Sequence, residues 1–273
     1  VKGKLTVYKK GEMLAGFNRD FIYEEQFLKD AVFEVYAAED IYSPDYQKDA
    51  DGNRIVVYAK DTLVTTITTG EDGMAVAENL PLGAYRVVEK TAPEGFVLNP
   101  DAAEVVFVYE GQDTPVVEQE VIVGDERQKV AITVEKQDAE NGAVVAGAVF
   151  GIYNKEDITA DGRVIVEADT LLQEMTSDEK GQAGCTLDLP LGSYYVKELK
   201  APAGYVSSNE VLNFDASYQG QDVETFVLKA VKKNQPTTVE ITKSDITTGT
   251  ELDGASLKVL DKDGNVVDEW TSV

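Results

Sequence analysis

Two stretches decide the fold: Asn79–Phe96, NLPLGAYRVVEKTAPEGF, and Asp188–Tyr205, DLPLGSYYVKELKAPAGY. They align without a gap, so the chain repeats itself. Working outward, AVFEVYAAEDI from Ala31 matches AVFGIYNKEDI from Ala148, with a looser copy, ASLKVLDKDGN, from Ala255. Upstream of each block lies a short strand-like run: LTVYK ending at Lys9, ITVEK ending at Lys136 and VEITK ending at Lys243. Lys136 and Lys243 are 107 residues apart, as are Ala148 and Ala255, so the register is maintained. The chain therefore divides into repeats at 1–128 and 129–235, followed by the truncated start of a third at 236–273.

Within each repeat, Val/Ile/Thr/Tyr-rich runs alternate with turn chemistry such as Asp51-Gly52-Asn53, Glu71-Asp72-Gly73, Asp161-Gly162 and Asp263-Gly264-Asn265. This predicts an all-β fold of tandem β-sandwiches. A short helical piece is expected only around Tyr23–Leu28. The first repeat carries two insertions relative to the second, at Lys10–Leu28 and Ile41–Thr62.

Composition removes several functions. Among 273 residues, 50 Asp+Glu against 25 Lys+Arg give a net charge of −25, which opposes nucleic-acid binding. With no histidine, His-based triads and His-ligated metals are excluded. The single cysteine, Cys185, excludes an intrachain disulfide and reads as a small core side chain. Asn141–Asn154, the longest uncharged stretch, is too short to span a bilayer, so no membrane contact is expected. Nothing at Val1 resembles a signal peptide and no anchor follows Val273, so an excised piece of a secreted protein is expected.

Strand alternation assigns faces. Leu5, Val7 and Lys9 share the inward face, as do Ile132, Val134 and Lys136, and Val239, Ile241 and Lys243. Tyr85, Val87 and Glu89 likewise share a face, as do Tyr194, Val196 and Glu198. Each complete repeat thus points a lysine and a glutamate at its own core. Buried charges are costly. They can pair as a salt bridge, the lysine can snorkel to water, or both groups can become neutral. A neutral amine is a nucleophile and a neutral carboxylic acid is a proton donor. Joining them to a carbonyl electrophile would make an amide.

The strand lysine with its following acid (Lys136-Gln-Asp138, Lys243-Ser-Asp245), the Ala-Val-Phe block and the Pro-Leu-Gly-x-Tyr-x-Val-x-Glu-x-x-Ala-Pro-x-Gly box resemble the Cna-B or SpaA-type domains of Gram-positive surface adhesins and pilins. The resemblance implies an inverse transthyretin-like, Ig-like sandwich. It also implies a spontaneous Lys–Asn or Lys–Asp isopeptide bond assisted by a Glu. Carried over, the first repeat offers Lys9, Asp125 and catalytic Glu89. The second offers Lys136, Asn234 and Glu198, although Phe226, Leu228, Ala230 and Lys232 make an imperfect inward face before Asn234. Lys243 has neither shuttle nor acceptor in this sequence.

The function this implies is a stalk or adhesin segment on a Gram-positive cell wall, forming its crosslinks once and turning over no substrate. Two other readings stand beside it: a ligand-binding adhesin module and an accessory module of an extracellular glycosidase. The candidate ligand loop is the second insertion, with Tyr42, Tyr46, Asp49, Asp51 and Tyr58, and a host extracellular protein or glycan as its partner. Neighbouring repeats are the other expected partners. Asp49-Ala-Asp51-Gly-Asn53 and Asp261-Lys-Asp263-Gly-Asn265 look like calcium-loop fragments but equally like hairpin turns. No metal and no cofactor is expected.

Overall fold

A parallel pairing of first strand with last organises each complete repeat. The computed structural model describes residues 1–273, which form strands and turns throughout and no helix. The first repeat contains β1 (Lys2–Asn18), β2 (Asp20–Phe27), β3 (Val32–Ala37), β4 (Ile41–Tyr42), β5 (Val56–Tyr58), β6 (Leu63–Thr68), β7 (Met74–Leu80), β8 (Gly83–Thr91), β9 (Ala103–Phe107) and β10 (Val116–Asp125). The second contains β11 (Lys129–Asp138), β12 (Val149–Asn154), β13 (Ile158–Ala160), β14 (Arg163–Val166), β15 (Leu171–Thr176), β16 (Gln182–Gly184), β17 (Gly192–Lys200), β18 (Val211–Ala216) and β19 (Thr225–Asn234). A hairpin of β20 (Ser256–Leu260) and β21 (Val266–Thr271) completes the chain.

In the first repeat, β1 lies between β10 and β7, and the facing sheet runs β6-β3-β8-β9. The second repeats the plan, with β11 between β19 and β16 against β15-β12-β17-β18. Alternate residues fill the space between sheets. Leu5, Val7, Phe33, Val35, Tyr85 and Phe107 are buried in the first core, and Ile132, Val134, Phe150, Ile152, Tyr194 and Phe214 in the second. The repeated box now has a physical reading. Its tyrosine is a core residue whose hydroxyl must find an acceptor. Tyr85 donates to the Pro81 carbonyl at 2.7 Å and Tyr194 to Pro190 at 2.6 Å. The box ends in a turn whose glycine takes a left-handed backbone, with φ of 92° at Gly95 and 85° at Gly204.

The helical piece expected at Tyr23–Leu28 is a strand. β1 runs beyond its sandwich, turns at Arg19 and returns as β2, with Lys10 to Asn18 pairing antiparallel to Phe27 to Asp20. This hairpin, the first of the two insertions, crosses to the second repeat. Phe21 is buried in the second repeat's core, with Leu14, Phe17 and Tyr23 packed beside it. The Tyr23 hydroxyl donates to the Asp188 carbonyl at 2.9 Å. The Arg127 guanidinium stacks 3.6 Å over the Tyr23 ring and pairs with the Asp188 carboxylate. Burial pushes the Tyr23 phenol up to about 12, against the opposing pull of the Arg127 cation. Tyr218 donates to the Phe96 carbonyl and Ala92 N–H to Gln221, so the repeats are also tied on the other side.

The third segment differs from expectation in one place. VEITK, Val239 to Lys243, is not a strand, and Val239 is 78% exposed. In the complete repeats the corresponding run pairs with a last strand, and residues 236–273 contain none.

The packing predicts a cross-repeat effect. Phe21→Ala, made in the first repeat, should lower the stability of the second by about 3 kcal/mol, the cost of removing a buried phenylalanine. Hydrogen exchange should quicken in β13 and β14, against which β1 packs. Unchanged exchange there would show that the hairpin is not held against the second repeat in solution.

Candidate functional site

In the first repeat, β1 and β10 run in register, Lys9 opposite Val123 and Gly11 opposite Asp125. Lys9 and Asp125 therefore share the inward face two positions apart, and Lys9 reaches the carboxyl directly. Glu89, on β8 of the facing sheet, lies 2.6 Å from the Lys9 Nζ. The side chains of all three are fully removed from water. The Asn99 N–H holds Glu89 Oε2 at 3.0 Å, and the Asn99 side chain straps the loop to the Gly124 carbonyl on the last strand. One amine faces two carboxyls, so both acids cannot be ionised cheaply. Burial, reinforced by Glu89 and opposed by Lys9, pushes the Asp125 carboxyl up to about 7. It can therefore be a carboxylic acid, the form an amine can condense with.

The second repeat preserves the register, with Asp138 opposite Asn234 as Gly11 is opposite Asp125. Lys136 is again two residues upstream and fully buried. The polar arrangement differs. Lys136 Nζ donates to its neighbour's Gln137 carbonyl at 3.1 Å and lies 5.5 Å from the Tyr205 ring centre, with no carboxylate in ion-pair range. Glu198 instead receives Asn234 Nδ2 at 2.7 Å on both oxygens and the Ser208 N–H at 3.0 Å. The Asn234 Oδ1 is buried without a hydrogen-bond partner. Burial, aided by Lys232, lowers the Lys136 pKa against the pull of Glu198 and Asp138. Asp138 is itself held below the usual carboxylate range, chiefly by the N–H groups of Glu140 and Asn141.

Lys232, read from sequence as a fault in the inward face, is buried at 1% exposure and belongs to this site. The signal was present, a second lysine among alternating apolar residues, but its meaning needed the register. Lys243 is exposed, and no cluster forms around it.

The candidate ligand loop forms the β4–β5 ribbon. Arg54 lies over Tyr42 at 4.4 Å and Tyr46 at 5.2 Å, beside a surface cavity of about 440 Å³ shared with Tyr109 and Leu82. Tyr58 packs instead against the first core. The Asp49 carboxylate accepts the N–H groups of Asp51 and Asn53, and Asp51 stays exposed. Asp261 holds Asp263 and Asn265 the same way. These are self-capped turns. Cys185 is half-buried at the edge of the second core, its thiol against Gln173.

With this geometry in view, comparison with known proteins places the chain. The SpaA family, described as a prealbumin-like fold domain, matches residues 22–120 and 130–229, and the chain belongs to that family. A fimbrial subunit type 2 of Actinomyces naeslundii is 30% identical over 120 residues, 38% of this chain and 21% of the relative. The trypsin-resistant surface T6 protein of Streptococcus pyogenes serotype M6 is 25% identical over 192 residues, 64% of this chain and 33% of the relative. Among solved structures, the Bacillus anthracis TIE protein superposes on all of this chain with a TM-score of 0.61 and 26% identity, covering 41% of that protein. The chain thus spans less than half of each. The family spans end before Asp125 and Asn234 and begin after Lys9, so those residues rest on geometry rather than on the match.

Burial alone makes a testable difference among the lysines. Amine-reactive labelling of the native chain should modify Lys243 rapidly and spare Lys9, Lys136 and Lys232, as read by peptide mass. Rapid native labelling of Lys136 or Lys232 would contradict the buried site.

Proposed function

We propose that this chain is a structural segment of a Gram-positive surface stalk, pilin-like in build, in which each complete repeat closes itself with an isopeptide bond. The observation that carries this reading is the buried contact of Lys9 with both Asp125 and Glu89. In the first repeat the neutral Lys9 amine attacks Cγ of the Asp125 carboxylic acid. Glu89 carries the amine proton to the departing hydroxyl, which leaves as water. In the second, Lys136 attacks Cγ of Asn234, and Glu198, already on Nδ2, delivers the proton with which that nitrogen leaves as ammonia. Each reaction happens once, so the chain is not a turnover enzyme.

The fimbrial and surface relatives support an extracellular setting, with neighbouring subunits or repeats as partners. A Lys9–Asp125 bond would close a span of 116 residues. By the loop-entropy argument used for disulfides, that stabilises by roughly 4–5 kcal/mol. Unlike a disulfide, it needs neither a second cysteine nor an oxidising environment. A recognition role for the Tyr42–Arg54–Tyr46 ribbon is a second reading, favoured by its exposed rings.

The intact mass of the denatured chain should fall short of the sequence mass by one water and one ammonia. Tryptic maps should contain branched peptides joining Lys9 to Asp125 and Lys136 to Asn234. A full sequence mass would sink the proposal. Glu89→Ala should abolish only the first bond and Glu198→Ala only the second.

The two reactions should also respond to pH differently. Ionisation of Asp125 with a midpoint near 7 removes the condensable acid, so the first bond should form progressively more slowly as pH rises through that value. The second has an amide acceptor and should not slow on that limb. Rates from freshly synthesised chain, quenched at intervals, test this. Equal slowing of both bonds would show that Asp125 is not what titrates.

A further inference from the structure

We propose that Lys232 is a positioning residue for bond formation in the second repeat, fastening the loop that holds Glu198 and setting the charge that Lys136 faces. The inference rests on the isopeptide reading above. Lys232 lies directly opposite Lys136 in the parallel β11–β19 pair, so the two side chains enter the same core from adjacent strands. The first repeat has Val123 at that place. A second buried lysine beside the first is costly and needs a return.

Its contacts show one. The Lys232 Nζ donates to Ser208 Oγ at 2.9 Å, the Glu210 carbonyl at 3.0 Å and Glu210 Oε2 at 2.8 Å. These three acceptors match the three N–H bonds of an ammonium, the form in which a lysine pairs with a carboxylate such as Glu210. Ser208 is also the residue whose N–H holds Glu198. The chain of contacts therefore runs from Lys232 through Ser208 to Glu198 and on to the Asn234 nitrogen. The first repeat achieves the same strap without charge: Asn99 holds Glu89 by its N–H and reaches the last strand by its side-chain amide. Asn99 and Ser208 each stand ten residues after their glutamate.

The electrostatic consequence follows from the different acceptors. In the first repeat the surplus groups are acids, and Asp125 bears the adjustment. In the second the acceptor is a neutral amide and the surplus group is a base. The charged groups around Lys136 are Lys232 on β19, Glu198 on β17 and Asp138 on its own strand, with the Tyr205 hydroxyl on Asp138. Of these, only Lys232 favours the neutral amine. An amine beside a fixed cation in a desolvated site is an activated nucleophile.

The test uses the full chain made by cell-free synthesis across a pH series, quenched in denaturant at intervals and read by intact mass and branched peptides. Lys232→Met should slow ammonia loss about tenfold near neutrality and move its rising limb to higher pH by about one unit, since removing the neighbouring cation raises the amine pKa. The double variant Lys232→Val with Ser208→Asn rebuilds the strap of the first repeat without charge, which guards against mere misfolding. It should form the bond yet keep the upward shift. Water loss in the first repeat is the internal control and should be unaffected. Wild-type rate and pH profile in Lys232→Met would overturn the role, as would slowing without a shift, or a branched peptide at Lys232 itself. Absence of both bonds from the wild-type chain would instead sink the isopeptide reading on which this rests.

Discussion

The parallel pairing of first and last strand is the constraint on which the rest of the molecule depends. It places an inward lysine of β1 two positions from an inward polar residue of β10, and it does so identically in β11 and β19. It also fixes how load is carried. Tension applied through the ends of a repeat would enter at the start of the first strand and leave at the end of the last, shearing the pair instead of peeling one hydrogen bond at a time. Backbone hydrogen bonds contribute individually little in water and share load only while the register holds. A covalent tie at Lys9–Asp125, near the exit of the pair, would keep that register and leave residues between the two joined positions unloaded.

The same geometry is served by opposite electrostatic solutions. The first core encloses one amine and two carboxyls, and desolvation is relieved by keeping a proton on an acid. The second sets two amines beside one amide and the carboxyls of Glu198 and Asp138, and relief comes from the Lys136 amine while Lys232 is satisfied by Ser208 and Glu210. The proposed acceptor and the residue opposite the buried lysine thus differ together between the repeats: Asp125 with Val123, Asn234 with Lys232. Both condensations would need a neutral amine and a proton for the leaving group; an acid acceptor would in addition have to keep its own proton, which an amide acceptor does not require. The surroundings differ in that sense.

Much of this was legible in the sequence, because strand faces follow from period-two alternation and the two complete repeats align closely. Lys9, Glu89, Lys136 and Glu198 broke an apolar pattern and so announced themselves. What was not legible depended on partners distant in the chain. Tyr23–Leu28 read as a helical fragment, whereas it belongs to a strand whose Phe21 and Tyr23 bury against another repeat, which local spacing cannot reveal. Lys232 looked like an irregularity until its register partner was known. VEITK has the composition of a strand, yet a strand requires a neighbouring strand to satisfy its backbone, and none pairs with it here.

The hairpin gives the covalent scheme a mechanical meaning beyond a single sandwich. β1 carries Lys9 and then continues without interruption into the arm that docks on the second core. A Lys9–Asp125 bond would leave the arm inside the bypassed segment, so neither of its strands would lie in the path of tension. It would still restrain the second repeat, through Phe21 and Tyr23 at one side and the Phe96 and Gln221 contacts at the other. The connection itself is short, Glu126 to Gln128, and two of its three residues are buried: Arg127 under Asp188 and Tyr23, Gln128 on the Gly220 and Val223 carbonyls. Bending between the repeats would have to break these contacts together. With the proposed bonds in place, extension would be resisted covalently and bending by packing, and the arm would keep the second task separate from the first.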